Sequence, residues 1–300
     1  MDQPRQPVPI IPAKTILSPY REGGWFASQY TMNLYRGCCH GCIYCDSRSA
    51  CYGIEQFDVV RAKDRALALL SRELGSKRRK GVVVNGSMSD GYNPFERTLG
   101  LTRGALELLG RHGFGVVVNT KSDLAVRDVD ALCKVRKHAP AVVNFTVTTA
   151  DDALCRRIEP HVCPSSARFA AMRRLTEAGV LCGVLLMPIL PYLNDTPDNI
   201  LDIVGQAAAS GASWVYAGFG VTLRQNQREY FFDRLDALFP GCKERYIRRF
   251  GSQYLCASPR ADELRQVCSE ACRSHGLLTD MAAISARITQ DYEQPQLRLF

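Results

Sequence analysis

Three cysteines in one short segment are the residues best suited to chemistry in this chain. Residues 35–52 read YRGCCHGCIYCDSRSACY, which places Cys38, Cys42 and Cys45 in a CxxxCxxC spacing. Three thiolates in one loop can converge on one metal centre. A four-iron, four-sulfur (4Fe-4S) cluster held by three cysteines keeps one iron free of protein ligands, and that iron can bind a substrate or a cofactor. The spacing therefore favours a reactive 4Fe-4S cluster.

A zinc site is the competing interpretation of the same segment. A structural zinc ion requires a fourth ligand to complete its tetrahedron. Cys39, His40 or Cys51 could supply that ligand. Ordinary loop thiols are the third interpretation. We favour the cluster because the motif directly follows the first predicted strand, which is a matching structural context.

The elements that must position this loop alternate between strand and helix. Short apolar runs predict six buried strands, at residues 29–35, 82–85, 115–119, 142–148, 181–187 and 214–219. Helical spacing lies between them, at residues 63–74, 98–111, 127–136, 166–178 and 199–209. Such alternation requires a parallel sheet with right-handed crossovers. An α/β barrel or partial barrel fits best, and a doubly wound open sheet is the alternative.

Changes in composition divide the chain into four segments. Residues 1–25 contain five prolines and predict an extended lead-in without regular elements. Residues 26–222 carry the strand and helix alternation. Residues 223–290 are basic and predict a helical C-terminal extension, with one helix at residues 259–275. Residues 291–300 form a polar tail.

The bulk composition is that of a globular protein with no membrane span. Hydrophobic residues make up 46% of the chain and charged residues 23%. No apolar run reaches the roughly 18 residues that a span needs. The N-terminal segment MDQPRQPVPIIPAK lacks an apolar signal core, which predicts a cytoplasmic protein. In that reducing compartment the 13 cysteines are better explained as buried thiols or metal ligands than as a disulfide framework.

The net charge of +8 arises from 38 basic and 30 acidic residues. Basic clusters lie at residues 77–80 (KRRK) and at Arg245, Arg248 and Arg249. A polyanionic partner such as nucleic acid would account for them. Ordinary solvated faces and loop ends are the alternative, which we favour slightly for a net charge this modest.

The cysteine loop resembles that of the radical S-adenosylmethionine (SAM) superfamily. That family carries CxxxCxxC after its first strand, with an aromatic residue before the last cysteine, as Tyr44 stands here. Further segments resemble one branch, the spore photoproduct lyase family and its uncharacterised relatives. They are SMSDGYNPFE (87–96), LTR (101–103), TKSDLAVRD (120–128), TVTTADD (146–152), EP (159–160), LTEAGV (175–180) and MPILPYLND (187–195).

The resemblance implies a partial (β/α)6 barrel of the radical SAM type, with the cluster at the carboxyl ends of the strands. It implies that S-adenosyl-L-methionine chelates the open iron through its amino and carboxyl groups. One electron from the cluster would then cleave this cofactor to a 5′-deoxyadenosyl radical, which abstracts a substrate hydrogen. The implied partners are DNA or a nucleotide-like substrate, and an electron donor such as flavodoxin or ferredoxin.

Five residues match cofactor-binding positions of the family. Tyr44 is similar to an aromatic residue beside the adenine, and Ser89 with Asp90 match a polar pair facing the methionine moiety. Lys121 matches a lysine that pairs with the cofactor carboxylate. Thr146 stands where the family often has a serine near the ribose. The alternatives are a simple turn at SDGYNP and a solvated charge at Lys121.

One position departs from the pattern of spore photoproduct lyase. That enzyme carries a cysteine three positions before the matched aspartate, where it returns a hydrogen atom to the product radical. This chain has Ser87 there. A hydroxyl hydrogen is too strongly bound to replace a thiol hydrogen, so reversal of a thymine photoproduct by that route is not expected. Tyr92 is the candidate radical relay, with ordinary packing as the alternative.

The last five residues, QLRLF, resemble the QLxLF peptide by which bacterial polymerases and repair proteins bind the sliding clamp. Leu297, Leu299 and Phe300 would insert into an apolar pocket while Gln296 hydrogen-bonds at its rim. The alternative is that these residues pack onto the barrel. The peptide is the strongest indication of a DNA setting in the sequence.

Two other functions are compatible with these residues. One is a radical SAM enzyme that acts on a peptide or a small metabolite. The other is a metal-stabilised nucleic-acid binding module without turnover, which six β/α units and polar strand ends disfavour. Four cysteines of the basic C-terminal region are predicted to be buried thiols rather than ligands of a second cluster, namely Cys242, Cys256, Cys268 and Cys272.

Overall fold

The computed structural model of the chain describes residues 7–20 and 24–292. The strands in these residues are β1 (Ile10–Ile11), β2 (Leu17–Pro19), β3 (Tyr30–Met32), β4 (Tyr35–Arg36), β5 (Arg61–Lys63), β6 (Val82–Asn85), β7 (Gly115–Thr120), β8 (Ala141–Thr146), β9 (Leu181–Leu186), β10 (Val215–Ala217), β11 (Gly220–Thr222) and β12 (Leu255–Ala257). The helices are α1 (Ala66–Ser76), α2 (Glu96–Leu99), α3 (Leu101–His112), α4 (Val129–Arg136), α5 (Asp152–Ile158), α6 (Ser165–Glu177), α7 (Pro197–Ala209), α8 (Gln227–Leu238), α9 (Cys242–Phe250), α10 (Ala261–Ser274) and α11 (Met281–Thr289).

Six strands form a parallel sheet in the order β10-β9-β8-β7-β6-β3, and β2 joins antiparallel to β3 at one edge. Strands β6 and β8 are buried along their whole length, which explains why their sequences are mainly apolar. Helices connect successive parallel strands, so the chain forms an open six-stranded α/β barrel. This arrangement confirms the partial barrel predicted from the sequence.

The lead-in differs from the prediction, because it contributes two strands. Strand β1 pairs in parallel with β5, which also pairs with β4 in a separate small sheet. Strand β2 forms the edge of the main sheet and ends at Pro19. Proline is tolerated there because an edge strand has one side without ladder hydrogen bonds. The first predicted strand, residues 29–35, is likewise divided between β3 and β4, which pair in different sheets.

The C-terminal extension is mainly helical, as predicted, and its helix α10 packs against α7 of the barrel. An antiparallel pair, β11 with β12, was not predicted because each strand has only three residues. The four cysteines of this region are buried and divide between two separate apolar clusters, with Cys242 and Cys256 in one and Cys268 and Cys272 in the other. They therefore do not converge on one site.

No helix in residues 7–20 and 24–292 combines the length and the apolar character that crossing a membrane requires.

Trp214, the residue before β10, packs tightly against Gly183 of β9. Trp214 is fully buried, and its indole Nε1 donates a hydrogen bond of 2.9 Å to Asn144 Oδ1 on β8. Asn144 in turn donates to Asn119 on β7 over 3.0 Å. A Cβ atom at Gly183 would lie 1.8 Å from Trp214 Nε1, so only glycine leaves room for the indole.

We expect Gly183→Ala to lower the free energy of unfolding by about 3 kcal/mol, because the added methyl group displaces Trp214 and breaks a buried hydrogen bond. Urea unfolding followed by circular dichroism measures the change. The matched control is Gly205→Ala in α7, where a Cβ atom meets nothing within 4 Å. That control should gain about 0.5 to 1 kcal/mol from helix propensity. Equal stabilities of the two variants would contradict this account of Gly183.

Candidate functional site

The cysteine loop leaves β4 and is shaped by two glycines with left-handed backbone angles. Gly37 has a φ of +82° and Gly41 a φ of +70°, values that side chains disfavour. A Cβ atom at Gly37 would also lie 2.4 Å from the carbonyl oxygen of Val59. The loop is thereby turned back on itself, so that its three motif cysteines face one side.

Backbone hydrogen bonds from distant segments hold the loop. Ile43 N donates to the carbonyl oxygen of Ile158 at the end of α5 over 3.0 Å, and His161 N donates to that of His40 over 3.1 Å. From the C-terminal extension, the Gln227 amide donates to the carbonyl oxygen of Tyr44 over 3.0 Å. The position of the loop is therefore set by the barrel and by α8 together.

The loop and the carboxyl ends of three strands enclose one cavity of about 110 Å³. The sequence predicts nine site residues, which are three cluster ligands, five cofactor-binding residues and the radical relay Tyr92. Six of the nine line this cavity, namely Cys38, Cys42, Cys45, Asp90, Lys121 and Thr146. Its other lining residues are His40, Ser47, Gly86, Ser87, Met88, Asn119 and Thr120. Tyr44, Ser89 and Tyr92 are not part of the lining. The fold thus brings the three cysteines to the strand ends.

The three thiols lie close enough to influence one another. Burial raises the pKa of the Cys42 thiol, Lys121 lowers it, and the neighbouring Cys45 and Cys38 raise it again. Burial also raises the pKa of Cys38, and the Asp90 carboxylate adds to that effect. A positively charged centre among them would favour the thiolate forms.

Among the described residues, no group of three or more His, Cys, Asp or Glu side chains has the geometry to hold a single metal ion. An iron–sulfur cluster does not require such a group, because each of its cysteine ligands binds a different iron.

Lys121 follows β7 directly and supplies positive charge to the cavity. In the part of the chain that the structure describes, its ammonium group forms no ion pair with a carboxylate. Burial opposes its charge, but the facing Cys42 and Glu159 outweigh that effect, and the pKa of Lys121 lies above its ordinary value. Its Nζ lies 5.7 Å from the centre of the Tyr44 ring.

Asp90 lines the cavity, but both of its carboxylate oxygens are engaged by the protein. Thr120 Oγ1 donates to it over 2.8 Å, Lys121 N over 2.9 Å and Tyr92 N over 2.8 Å. His40 Nδ1 lies 3.6 Å from its Oδ2. Asp90 therefore joins the loop after β6 to the end of β7, and its predicted contact with a cofactor would have to be shared with these bonds.

Tyr44 points away from the cavity towards a buried ion pair. Its hydroxyl donates to Glu159, which pairs with Arg168 at 2.5 Å, and both charged side chains are fully buried. Arg168 also donates to the carbonyl oxygen of Thr146 over 2.9 Å. Burial raises the pKa of Glu159, but the positive charges of Arg168 and Lys121 lower it by more. The pKa of Glu159 therefore lies below its ordinary value.

Two of the predicted residues sit in the core beside the cavity. Ser89 is buried, and its hydroxyl has no hydrogen-bond partner within residues 7–20 and 24–292, which is uncommon for a buried polar atom. Tyr92 is 1% exposed and belongs to the apolar core. Burial and the nearby Asp128 raise the pKa of its hydroxyl well above the ordinary value. Its packing favours the structural interpretation over a radical relay.

Sequence reasoning missed the residues that hold the site together. Glu159 was visible only as part of an EP pair, and nothing marked Arg168, nine positions later, as its partner. His40 lies inside the cysteine motif and was considered only as a zinc ligand. Gln227 carried no signal, because its contact with the loop spans 183 residues.

Gln296, Leu297, Leu299 and Phe300 of the C-terminal peptide lie outside the described residues.

Residues 32–204 match the family model described as the radical SAM superfamily. An uncharacterized protein of Mycobacterium tuberculosis is 31% identical over 225 residues, which cover 73% of this chain and 66% of that protein. An uncharacterized protein of Methanocaldococcus jannaschii is 31% identical over 189 residues, which cover 62% of this chain and 68% of that protein. The match to the mycobacterial relative thus spans slightly less than two thirds of its length.

Solved structures share the fold at low sequence identity. Spore photoproduct lyase complexed with dinucleoside spore photoproduct superposes with a TM-score of 0.67 and 16% identity, covering 89% of this chain and 80% of that one. A mutant of the lyase with bound AdoMet and dinucleoside spore photoproduct has a TM-score of 0.64 and 16% identity, covering 86% and 79%. These likenesses establish a common architecture.

We expect Arg168→Leu to lower the free energy of unfolding at pH 7 by about 3 to 5 kcal/mol, because it leaves the buried Glu159 charge unpaired. The matched control is Arg173→Leu, an exposed position of the same helix, where the change should stay within about 0.5 kcal/mol. Denaturant unfolding of both variants measures the difference. Equal losses in the two variants would exclude a structural role for the pair.

The same ion pair predicts a pH dependence. The pKa of Glu159 is lowered in the folded chain, so its contribution is fully present above the unfolded value of about 4.3 and is lost as the pH falls through the lower folded value. The stability difference between the wild type and Arg168→Leu should therefore shrink in acid.

Proposed function

The chain belongs to the radical SAM superfamily, and we propose that Cys38, Cys42 and Cys45 hold its 4Fe-4S cluster for a reaction on DNA or a nucleotide-like substrate. The cofactors of this enzyme are the cluster and S-adenosylmethionine. Together they supply one-electron cleavage of S-adenosylmethionine to a 5′-deoxyadenosyl radical that abstracts a substrate hydrogen.

One observation carries the ligand assignment. The three motif cysteines line a single cavity at the carboxyl ends of the strands, together with Lys121 and Thr146. Active sites of β/α barrels collect at this end, because the loops that follow the strands meet there. Three cysteines also leave one iron of the cluster without a protein ligand, as the binding of a cofactor requires.

Lys121 and two hydroxyl groups are suited to bind S-adenosylmethionine. The Lys121 ammonium group faces the cavity without a carboxylate partner in the described residues, so it can pair with the carboxylate of the cofactor. Thr146 lines the cavity, and Ser89 offers a buried hydroxyl that no described residue satisfies. The protein's part is to bind and orient the cofactor and to keep water from it.

Ser87 lines the cavity at the position where spore photoproduct lyase carries its hydrogen-donating cysteine. A serine hydroxyl cannot donate a hydrogen atom as a thiol does. We therefore propose a reaction other than photoproduct reversal by the cysteine route, with any final hydrogen atom coming from a different donor.

Three features support a nucleic-acid substrate. The fold resembles that of a lyase solved with a dinucleoside photoproduct. Arg245, Arg248 and Arg249 are exposed on α9, where they can contact phosphate groups. The QLRLF peptide at residues 296–300 is similar to a sliding-clamp ligand. Turnover with deuterium-labelled DNA, set against labelled peptide and metabolite candidates, tests this choice, because transfer of the label into 5′-deoxyadenosine identifies the substrate.

We expect Cys42→Ala to abolish both the brown colour and the cleavage of S-adenosylmethionine after anaerobic reconstitution, whereas the wild type binds about four irons per chain. Iron content, electron paramagnetic resonance and formation of 5′-deoxyadenosine with dithionite are the measurements. Cys51→Ala is the matched control, since Cys51 is exposed in the same segment and contacts Arg224 at 3.1 Å. A full cluster in Cys42→Ala would refute the ligand assignment.

Removal of residues 296–300 should abolish binding to a bacterial sliding clamp, because the apolar side chains that enter its pocket are lost. Fluorescence titration of the clamp with the full chain and with the truncated chain measures this. A full chain with Leu299 and Phe300 changed to alanine keeps the length and serves as a second test. Equal binding by all three chains, or no binding by the full chain, would remove the clamp from the proposal.

A further inference from the structure

A second and larger cavity lies against the same cysteine loop. This groove measures about 500 Å³ and is lined by Cys39, Gly41, Ile43, Asp58, Arg156, Arg157, Pro160, His161, Tyr230, Arg234 and Leu238. It shares no lining residue with the cavity that Cys38, Cys42 and Cys45 face. The two sets of loop residues are interleaved in sequence, so the loop is a thin wall between the cavity and the groove.

The groove carries an excess of positive charge. Arg156, Arg157 and Arg234 line it and are exposed. Its one acidic lining residue, Asp58, is already paired with Arg48. Within the described ranges the Arg234 side chain forms no ion pair or hydrogen bond. It lies 5.1 Å over the Tyr230 ring.

Aromatic packing orders two of these cations, Arg157 and Arg234, without pairing them with a carboxylate, whereas Arg156 lies 4.0 Å from Asp152 one helical turn earlier. The Arg157 guanidinium lies 4.0 Å over the Phe239 ring and donates to the carbonyl oxygen of Leu238. Tyr230 also packs against Arg48, whose guanidinium lies 3.8 Å over the Tyr230 ring and is paired with Asp58. Stacking holds a guanidinium in place while its charge stays available to an anionic partner.

We propose that this groove is the docking site of an acidic one-electron donor protein that reduces the cluster. The inference rests on the proposed function, since it needs the cluster to be held by the three motif cysteines. In the step it serves, one electron leaves the reduced flavin or iron–sulfur centre of the donor and enters the oxidised cluster. The donor is oxidised by one electron, the cluster is reduced by one, and no bond is made or broken.

Geometry favours an electron donor over nucleic acid at this surface. The substrate must reach the cavity at the strand ends, where Lys121 and Thr146 lie, and the groove is on the other side of the loop. A donor in the groove would be separated from the motif cysteines only by the loop itself. Positive charge there would also steer an acidic protein and speed its association at low salt.

The test compares two double variants of the full chain that remove the same charge. Arg156→Gln with Arg234→Gln alters the groove, and Arg173→Gln with Arg174→Gln alters exposed positions on α6. The probe is a bacterial flavodoxin with oxidised FMN, titrated at low and high salt. We expect the groove variant to bind about tenfold more weakly and the α6 variant to match the wild type, because rim charges act mainly on electrostatic association.

Activity provides the second measurement. Cleavage of S-adenosylmethionine driven by reduced flavodoxin should fall about tenfold in the groove variant, in line with the loss of docking, while cleavage driven by dithionite should equal that of the wild type. No binding of flavodoxin to the wild type, or equal loss in both variants, would overturn the docking site. If the groove variant lost binding to a short DNA duplex but bound flavodoxin as the wild type does, the groove would be a nucleic-acid site. That result would also overturn the docking site for an electron donor.

The two proposals fail in different ways. A wild-type chain that binds flavodoxin through the groove but cleaves no S-adenosylmethionine with dithionite would overturn the proposed function and support the surface. A wild-type chain that cleaves S-adenosylmethionine with dithionite, together with a groove variant that binds flavodoxin as tightly as the wild type, would support the proposed function and overturn the docking site.

Discussion

The buried ion pair between Glu159 and Arg168 is the interaction on which the geometry of the site depends. Glu159 accepts a hydrogen bond from Tyr44 of the cysteine loop, and Arg168 donates to the carbonyl oxygen of Thr146 at the end of β8. Removing two charges from water costs several kcal/mol each, which their attraction and hydrogen bonds offset only in good geometry. The loop, the strand end and α6 are therefore held in one relative position.

Asp90 performs the same kind of task on the other side of the cavity. Its carboxylate ties the loop after β6 to Thr120 and to the backbone of Lys121, and it approaches His40 of the cysteine loop. The carboxylates of Asp90 and Glu159 are thus engaged by the protein itself. Lys121 has no such partner among the described residues, which gives the cavity a positive group suited to an anionic ligand.

The cysteine loop also separates two environments. Towards the strand ends it faces the smaller cavity, and on its other side it faces the larger groove lined by arginines. Under the proposed function, this separation lets substrate and electron donor approach the same centre from different sides. Helix α8 of the C-terminal extension contributes to both roles, because Gln227 anchors the loop while Tyr230 and Arg234 line the groove.

The sequence by itself determined the barrel, the family and the segment that carries the chemistry. Strand and helix periods are local patterns, and the CxxxCxxC spacing lies within eight residues, so neither needs knowledge of distant contacts. Strand β1 escaped prediction because its partner β5 is remote in sequence, and β2 because it has only three residues and includes Pro19. Only the tertiary structure decided that Tyr44 turns to Glu159, that Asp90 is engaged by the protein and that Tyr92 is packed in the core. These outcomes depend on side chains that meet across as many as 115 residues, and no local pattern records such a meeting.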